Sequence, residues 1–278
     1  FFPDPAPGPI RIALVGGASL YPLHELITQF LSAEGHAAEI WTGDYDNYPA
    51  EMLSPDGGLD TSRPEVILCL PSARRCSSNL PLTAAREEVE TEIRGVVDEL
   101  LGLARAARER TGAEIVLANF PLPPRHDPGP FRARTLGSAW SFTKAVNLEL
   151  GLRAPEFVHL VDLEFLSARH GALAASDDRA WFESKQPGSP DFLVDAAREF
   201  ALAVARLRTA PRKVLVLDLD NTLWGGEVGE AGWEGIELGD TSPRGEAFKA
   251  FQRAALELQR RGVLLAVASK NDEARALE

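Results

Sequence analysis

The sequence predicts an α/β fold: a parallel-sheet domain followed by a second, partial α/β unit. Three observations predict it. Short apolar runs alternate with long amphipathic stretches almost from end to end of the 278 residues, and each parallel crossover needs a helix to carry the chain back. The short runs are continuously apolar, as strands covered on both faces should be. The rhythm then restarts at Thr209-Ala210-Pro211-Arg212, so we expect one domain over residues 1–209 and the amino-terminal portion of another over residues 210–278.

Taken in order, Ile10 to Val15 reads as a buried strand closed by Gly16-Gly17. Leu23, Leu26, Ile27, Phe30 and Leu31 then recur at helical spacing, and Gly35 stops that helix. Ala38 to Trp41 and Val66 to Leu70 are the next strands, the latter bounded by Pro64 and Pro71. A long helix from about Thr83 to Arg110 carries Val89, Ile93, Val96, Val97, Leu100 and Leu101 on its apolar side. Ile115 to Ala118 and Phe157 to Val161 are the fourth and fifth strands. Between them lie a Pro-rich connector, Pro121 to Pro130, and a helix around Ser141 to Leu150; a last helix runs from about Phe192 to Leu207. After the restart come the strand Lys213 to Leu217, a Gly-rich hairpin-like stretch from Trp224 to Gly239, a helix from Gly245 to Arg261 and the strand Val263 to Ala268.

Composition narrows the functions. With 29 Lys and Arg against 41 Asp and Glu, the net charge is −12, which argues against nucleic acid or anionic membrane as a partner. No apolar run approaches the roughly 20 residues of a membrane span. Two cysteines, Cys69 and Cys76, are too few for a disulfide framework and suit a reducing, cytoplasmic compartment. The chain opens on Phe1, which suggests a start inside a longer gene product.

The most informative stretch is Asp218-Leu219-Asp220-Asn221-Thr222-Leu223-Trp224. Two carboxylates at i and i+2, just past a buried parallel strand, project into the crevice where open α/β sheets bind ligands. With a hard cation such as Mg²⁺ they suit phosphoryl chemistry. The metal screens carboxylate and phosphate charges, Asp218 can attack phosphorus, and Asp220 can shuttle a proton. Ser269, at the end of the next strand, is placed to hydrogen-bond a phosphoryl oxygen, and Lys270 follows it.

This stretch resembles the first two motifs of the haloacid dehalogenase (HAD) superfamily. The longer words DLDNTLWGGEVGE, GEAFKAFQ and RGVLLAVASKNDEA resemble its FkbH subfamily. The resemblance implies a Rossmann-like second domain, Asp218 as nucleophile, Asp220 as acid/base, both carboxylates on Mg²⁺, and Thr222, Ser269 and Lys270 around the phosphate. It further implies a role in polyketide and related assembly: dephosphorylation of a phosphorylated glycerate and transfer of the glyceryl group to an acyl carrier protein. Members that load glyceryl often carry Cys between the aspartates, where this chain has Leu219. A simple Mg²⁺-dependent phosphatase, and a non-catalytic module docking the carrier protein through Arg74-Arg75 or Arg206, Arg208, Arg212 and Lys213, are the alternatives. The chain ends at Glu278 before a distal Lys and a further acidic pair, so we expect a truncated HAD domain, inactive by itself.

In the first domain, Gly16-Gly17-Ala18-Ser19-Leu20 between strand and helix resembles the nucleophile turn of SGNH (GDSL) hydrolases, which implies an SGNH/flavodoxin-like sheet. Ala18 stands where that family has Asp, and Asp178-Arg179-Ala180-Trp181 puts Trp181 where its base His belongs. Without an imidazole Ser19 is a weak nucleophile, so a degenerate hydrolase is expected, with Ser19, Asn119 and Trp181 as its cleft residues. His24 follows Ser19 closely on the first helix. His159, inside an apolar strand, reads as a core residue. From Gly43 to Tyr48 and on through Asp56 to Leu59, and again from Trp181 to Pro187, the chain resembles FkbH-type proteins, with Tyr45, Trp181 and Lys185 as further pocket candidates.

Overall fold

A computed structural model describes residues 8–125 and 128–271. Phe1, part of the Pro-rich connector and the last residues of the SKNDEA word lie outside them. The chain divides into two compact units, Phe1–Thr209 and Ala210–Glu278.

The first unit is a flavodoxin-like α/β fold. Its elements are β1 (Ile10–Gly16), α1 (Leu23–Ala33), β2 (Ala38–Thr42), α2 (Tyr48–Leu53), α3 (Gly58–Thr61), β3 (Val66–Leu70), α4 (Arg86–Thr111), β4 (Glu114–Ala118), α5 (Ala139–Arg153), β5 (Val158–Val161), α6 (Leu163–His170), α7 (Ala172–Ala175), α8 (Asp178–Ser184) and α9 (Pro190–Arg208). The five strands form one parallel sheet of order β2-β1-β3-β4-β5. Successive side chains of a strand point to opposite faces. Ala13, Val15, Ile67 and Leu117 accordingly pack with Val97, Leu101 and Phe142. Ile12, Leu14, Leu68 and Val116 pack on the other face with Ile27, Phe200 and Val204. Each such fully buried Val, Leu, Ile or Phe side chain contributes about 1.5–3 kcal/mol.

Helix ends follow local chemistry. Ser138, Asp162, Asp177 and Ser189 accept hydrogen bonds from first-turn N–H groups of α5, α6, α8 and α9, as short oxygen-bearing caps do. Gly112 ends α4 in the left-handed region. One expectation is corrected here. His159 is on the edge strand β5, half-buried, with Nε2 3.0 Å from Glu114 Oε2; an edge position lets the imidazole reach a charged partner, so it is no core residue.

The second unit contains β6 (Val214–Leu217), α10 (Val228–Ala231), α11 (Pro243–Arg260) and β7 (Leu264–Val267), with β6 and β7 paired in parallel. The stretch from Trp224 to Gly239 is hairpin-like at one point, where Gly225 and Glu237 exchange backbone hydrogen bonds of 2.9 and 2.8 Å. A Cβ on Gly225 would lie 3.0 Å from Phe248 and 3.1 Å from Glu237, so the close approach of these segments favours glycine.

Candidate functional site

Asp218 and Asp220 follow β6 directly, and Ser269 and Lys270 follow β7. Because these strands are parallel, both pairs emerge at the same edge. They line one cleft of about 630 Å³ together with Asn221, Glu227 and Asn271.

The loop after β6 is braced from several sides. Leu219 O accepts from the N–H groups of Thr222 (3.1 Å) and Leu223 (2.8 Å), which makes a tight turn. Asn221 adopts a left-handed conformation (φ 56°), which Asn tolerates better than most residues. Its Oδ1 accepts from Gly226 N–H at 3.0 Å. Gln252 of α11 donates to Leu223 O at 2.7 Å. Leu219 turns inward and is buried. Thr222 is not among the residues that line the cleft.

Asp220 Oδ1 accepts from Trp224 Nε1 (3.0 Å) and from Val228 N–H (3.1 Å). Burial pushes its carboxyl up, but the Val228 N–H, the Asn271 amide and the Trp224 indole outweigh that and hold it below the ordinary value. The Asn271 amide does this from beside Asp220, outside hydrogen-bond geometry, and its buried Nδ2 has no hydrogen-bond partner among the described residues. Asp218 Oδ1 accepts the N–H of Leu219, at 2.8 Å. Asn271 N–H donates to Ser269 Oγ at 3.2 Å.

Among the described residues no three His, Cys, Asp or Glu side chains gather closely enough to hold a metal. Two carboxylates in one cleft still suit Mg²⁺, which binds through one or two carboxylates and completes its shell with water and substrate phosphate. Glu227, Asn221, Asn271 and Trp224 escaped the sequence reading. The signal that could have found them is polar residues clustered just beyond each strand end.

The first unit does not bring its predicted residues together. Ser19 lies in a cleft with His24, Tyr45 and Lys185, whereas Asn119 and Trp181 line a separate cavity. Ser19 Oγ donates to Tyr21 O at 3.3 Å, and His24 Nδ1 lies 3.4 Å from Leu20 O. Among the described residues, Ser19 Oγ therefore donates to a carbonyl and not to the His24 ring. Asn119 is a brace: its Nδ2 donates to Asp162 Oδ1 (2.8 Å) and its Oδ1 accepts from Glu164 N–H (3.1 Å). Trp181 lies under the Arg74 guanidinium, 4.8 Å from the ring centroid. Cys69 and Cys76 are buried, and burial pushes both thiols up to about 12. Of the basic residues considered for docking, Arg75 is paired with Asp46 and Glu99, and Arg208 with Glu65.

No family model matches the chain, and no curated protein matches it either. Among solved structures it is similar to the N-terminal part of the protein BF1531 from Bacteroides fragilis, which contains a phosphatase domain and was crystallised with Mg. The TM-score is 0.79 at 25% identity, over 96% of this chain and 70% of that one. Weaker likenesses at 13% identity are to TesA, with a TM-score of 0.44 over 70% of this chain and 99% of that one, and to the esterase EstA from Pseudoalteromonas sp., with 0.43 over 71% and 98%. At such scores neither carries an argument. Among the described residues no helix is long and apolar enough to cross a membrane.

Proposed function

We propose that this chain carries the nucleophile end of a Mg²⁺-dependent phosphatase of the haloacid dehalogenase type, acting on a phosphorylated small molecule. The observation that carries this reading is the single cleft holding Asp218 and Asp220 from one strand end and Ser269 and Lys270 from the next. The likeness to a phosphatase-containing protein crystallised with Mg supports it.

In this reading an Asp218 carboxylate oxygen attacks phosphorus, the P–O bond to the leaving group breaks, and Asp220 gives that oxygen its proton. Water then attacks the aspartyl phosphate, Asp220 takes a proton from it, and inorganic phosphate leaves as Asp218 is regenerated. The hydrogen bonds that hold Asp220 low favour its base half-reaction; a phosphate dianion beside it raises its pKa and favours the acid half. Ser269 donates to a phosphoryl oxygen, and Lys270 offsets negative charge. Asp218 and Asp220 would hold Mg²⁺, which would screen carboxylate from phosphate charge.

The finer reading is the FkbH-like one, in which a phosphorylated glycerate loses its phosphate and the glyceryl group passes to an acyl carrier protein. One observation favours plain phosphate removal instead. Leu219 fills the position between the aspartates, and the chain's two cysteines are buried with thiols that stay protonated at neutral pH, so no described thiol is ready to form a thioester.

Intact-protein mass spectrometry decides between them. The full-length protein is incubated with Mg²⁺, a phosphorylated glycerate and a carrier protein, and free phosphate is assayed in parallel. A glyceryl increment on the carrier establishes transfer. Phosphate without an increment leaves a phosphatase, and neither signal, across several phosphorylated acids, overturns the proposal.

A further inference from the structure

We propose that the first unit binds a phosphate dianion, free or as a monoester, in the pocket at the amino ends of β1 and β3. The pocket has a volume of about 550 Å³ and is lined by Arg11, Arg63 and Arg110 together with Asp60 and Glu65. It lies at the end of the sheet opposite the carboxyl ends, where open parallel sheets receive their ligands. Residues that precede or open the two strands build it, with the last turn of α4. The inference is independent of the phosphatase reading, because every residue invoked belongs to the first unit.

Both carboxylates that line this pocket are spoken for by arginine. Arg110 forks Asp60 with contacts of 3.0 and 3.1 Å. Glu65 is shared between Arg11, at 3.3 Å, and Arg208. Arg63 is the cation left over: it is exposed, and its guanidinium makes no hydrogen bond or ion pair among the described residues. Its backbone is fixed at both ends, since its N–H donates to Asp60 O at 3.1 Å and its carbonyl accepts from Arg11 Nε at 2.8 Å. Between these bonds Arg63 is left-handed (φ 46°), directly before Pro64. A residue before proline prefers extended backbone, and glycine would relieve the strain. The backbone therefore gives no reason for arginine at this position, whereas an unpaired guanidinium facing the pocket does. Guanidinium groups fork phosphate oxygens, and Coulomb attraction to Arg63 and Arg11 doubles from a monoanion to a dianion. The carboxyl end of α4 would oppose an anion through its dipole, but Arg108 donates to Gly112 O there at 2.7 Å and offsets it.

The test is calorimetric titration of the whole chain with sodium phosphate, at mildly alkaline pH where phosphate is a dianion, at constant ionic strength and without Mg²⁺. A Lys270→Gln background weakens any competing phosphate binding in the second unit's cleft, and sodium nitrate is the monoanionic control. We expect saturable phosphate binding about tenfold tighter than nitrate. Arg63→Gln should weaken phosphate about fivefold, the size of one exposed charge pair. Arg63→Gly should give the same loss; glycine suits the left-handed backbone, so this variant keeps the test readable if the glutamine variant folds poorly. Methyl phosphate separates the two sources: affinity equal to that of inorganic phosphate assigns an ester, and weaker binding assigns the free ion. The assignment is overturned if the parent chain binds no phosphate, if nitrate binds as tightly, or if either Arg63 variant keeps the parent's affinity.

Discussion

The two sheets of this chain use the same apolar residues in different surroundings. β3 is Val-Ile-Leu-Cys-Leu, and all five residues are buried. β6 is Val-Leu-Val-Leu, and it alternates between exposed and half-buried. β3 lies in the middle of five strands, with packed side chains from helices on both faces. β6 has β7 as its partner, and Val214, Val216, Leu264 and Val267 are each more than half exposed. An apolar run thus reports what a strand is able to bury, not how much of it the described residues cover. The comparison also separates stability from chemistry: the larger core is in the first unit, and the paired carboxylates are in the second.

Catalysis is where the two units should differ most. In the full-length protein with Mg²⁺, Asp218→Asn should lower phosphate release by about a thousandfold or more, and Ser19→Ala should leave it unchanged. Phosphate release that survives Asp218→Asn would remove the nucleophile assignment; release lost in Ser19→Ala would move the chemistry to the first unit.

Next in size is the contrast in packing. Phe200, on α9, is fully buried against the sheet, and Phe200→Ala should cost about 3–5 kcal/mol of first-unit stability. Val216→Ala, at a residue 58% exposed, should cost less than about 0.5 kcal/mol. Urea unfolding followed by circular dichroism measures both, and equal losses would erase the difference between the sheets.

A smaller effect belongs to one ion pair. Arg110 of α4 forks Asp60 and also donates to Met52 O at 2.7 Å, tying α2 and α3 to the long helix. Its hydrogen bond to Asp60 is the main reason that carboxyl is held below its ordinary value. A carboxyl depressed by folding stabilises at pH values above its unfolded pKa, and that contribution disappears as the pH falls through the folded value. Arg110→Ala should therefore cost about 2 kcal/mol at pH 7 and flatten the fall of stability on the acid side. An unchanged acid slope would show that Asp60 draws nothing from Arg110.

Much of the architecture was legible because it is written in long signals. The five strands of the first sheet and the helices α1, α4, α5 and α9 follow from apolar runs and helical spacing, with ends misplaced by a few residues. The short helices α2, α3, α6, α7 and α8 were not legible: none exceeds eight residues, too few turns for a periodic face to emerge, and tertiary packing decides them. The site divides the same way. Asp218, Asp220, Ser269 and Lys270 could be placed because strand ends could be placed. Asn271, two residues past Ser269, was within reach of the same rule, whereas Glu227 reaches the cleft through a longer loop fold, and Ser19 separates from Asn119 and Trp181 although all three lie near strand ends or the last helices.

Trp224 gives the finest test, because it sits in the recognised word yet acts only through Asp220. Its indole N–H is one of three groups that hold the Asp220 carboxyl low, against the upward push of burial. Trp224→Phe keeps the ring and removes the donor, so the Asp220 carboxyl should rise. The step in which Asp220 accepts a proton from water needs the ionised form, so the acid limb of the phosphate-release profile should move to higher pH. Release on the plateau above that limb should fall far less than in Asp218→Asn. If the limb stays in place while the plateau falls, Trp224 only packs the loop, and the ionised state of Asp220 rests on the Val228 N–H and Asn271.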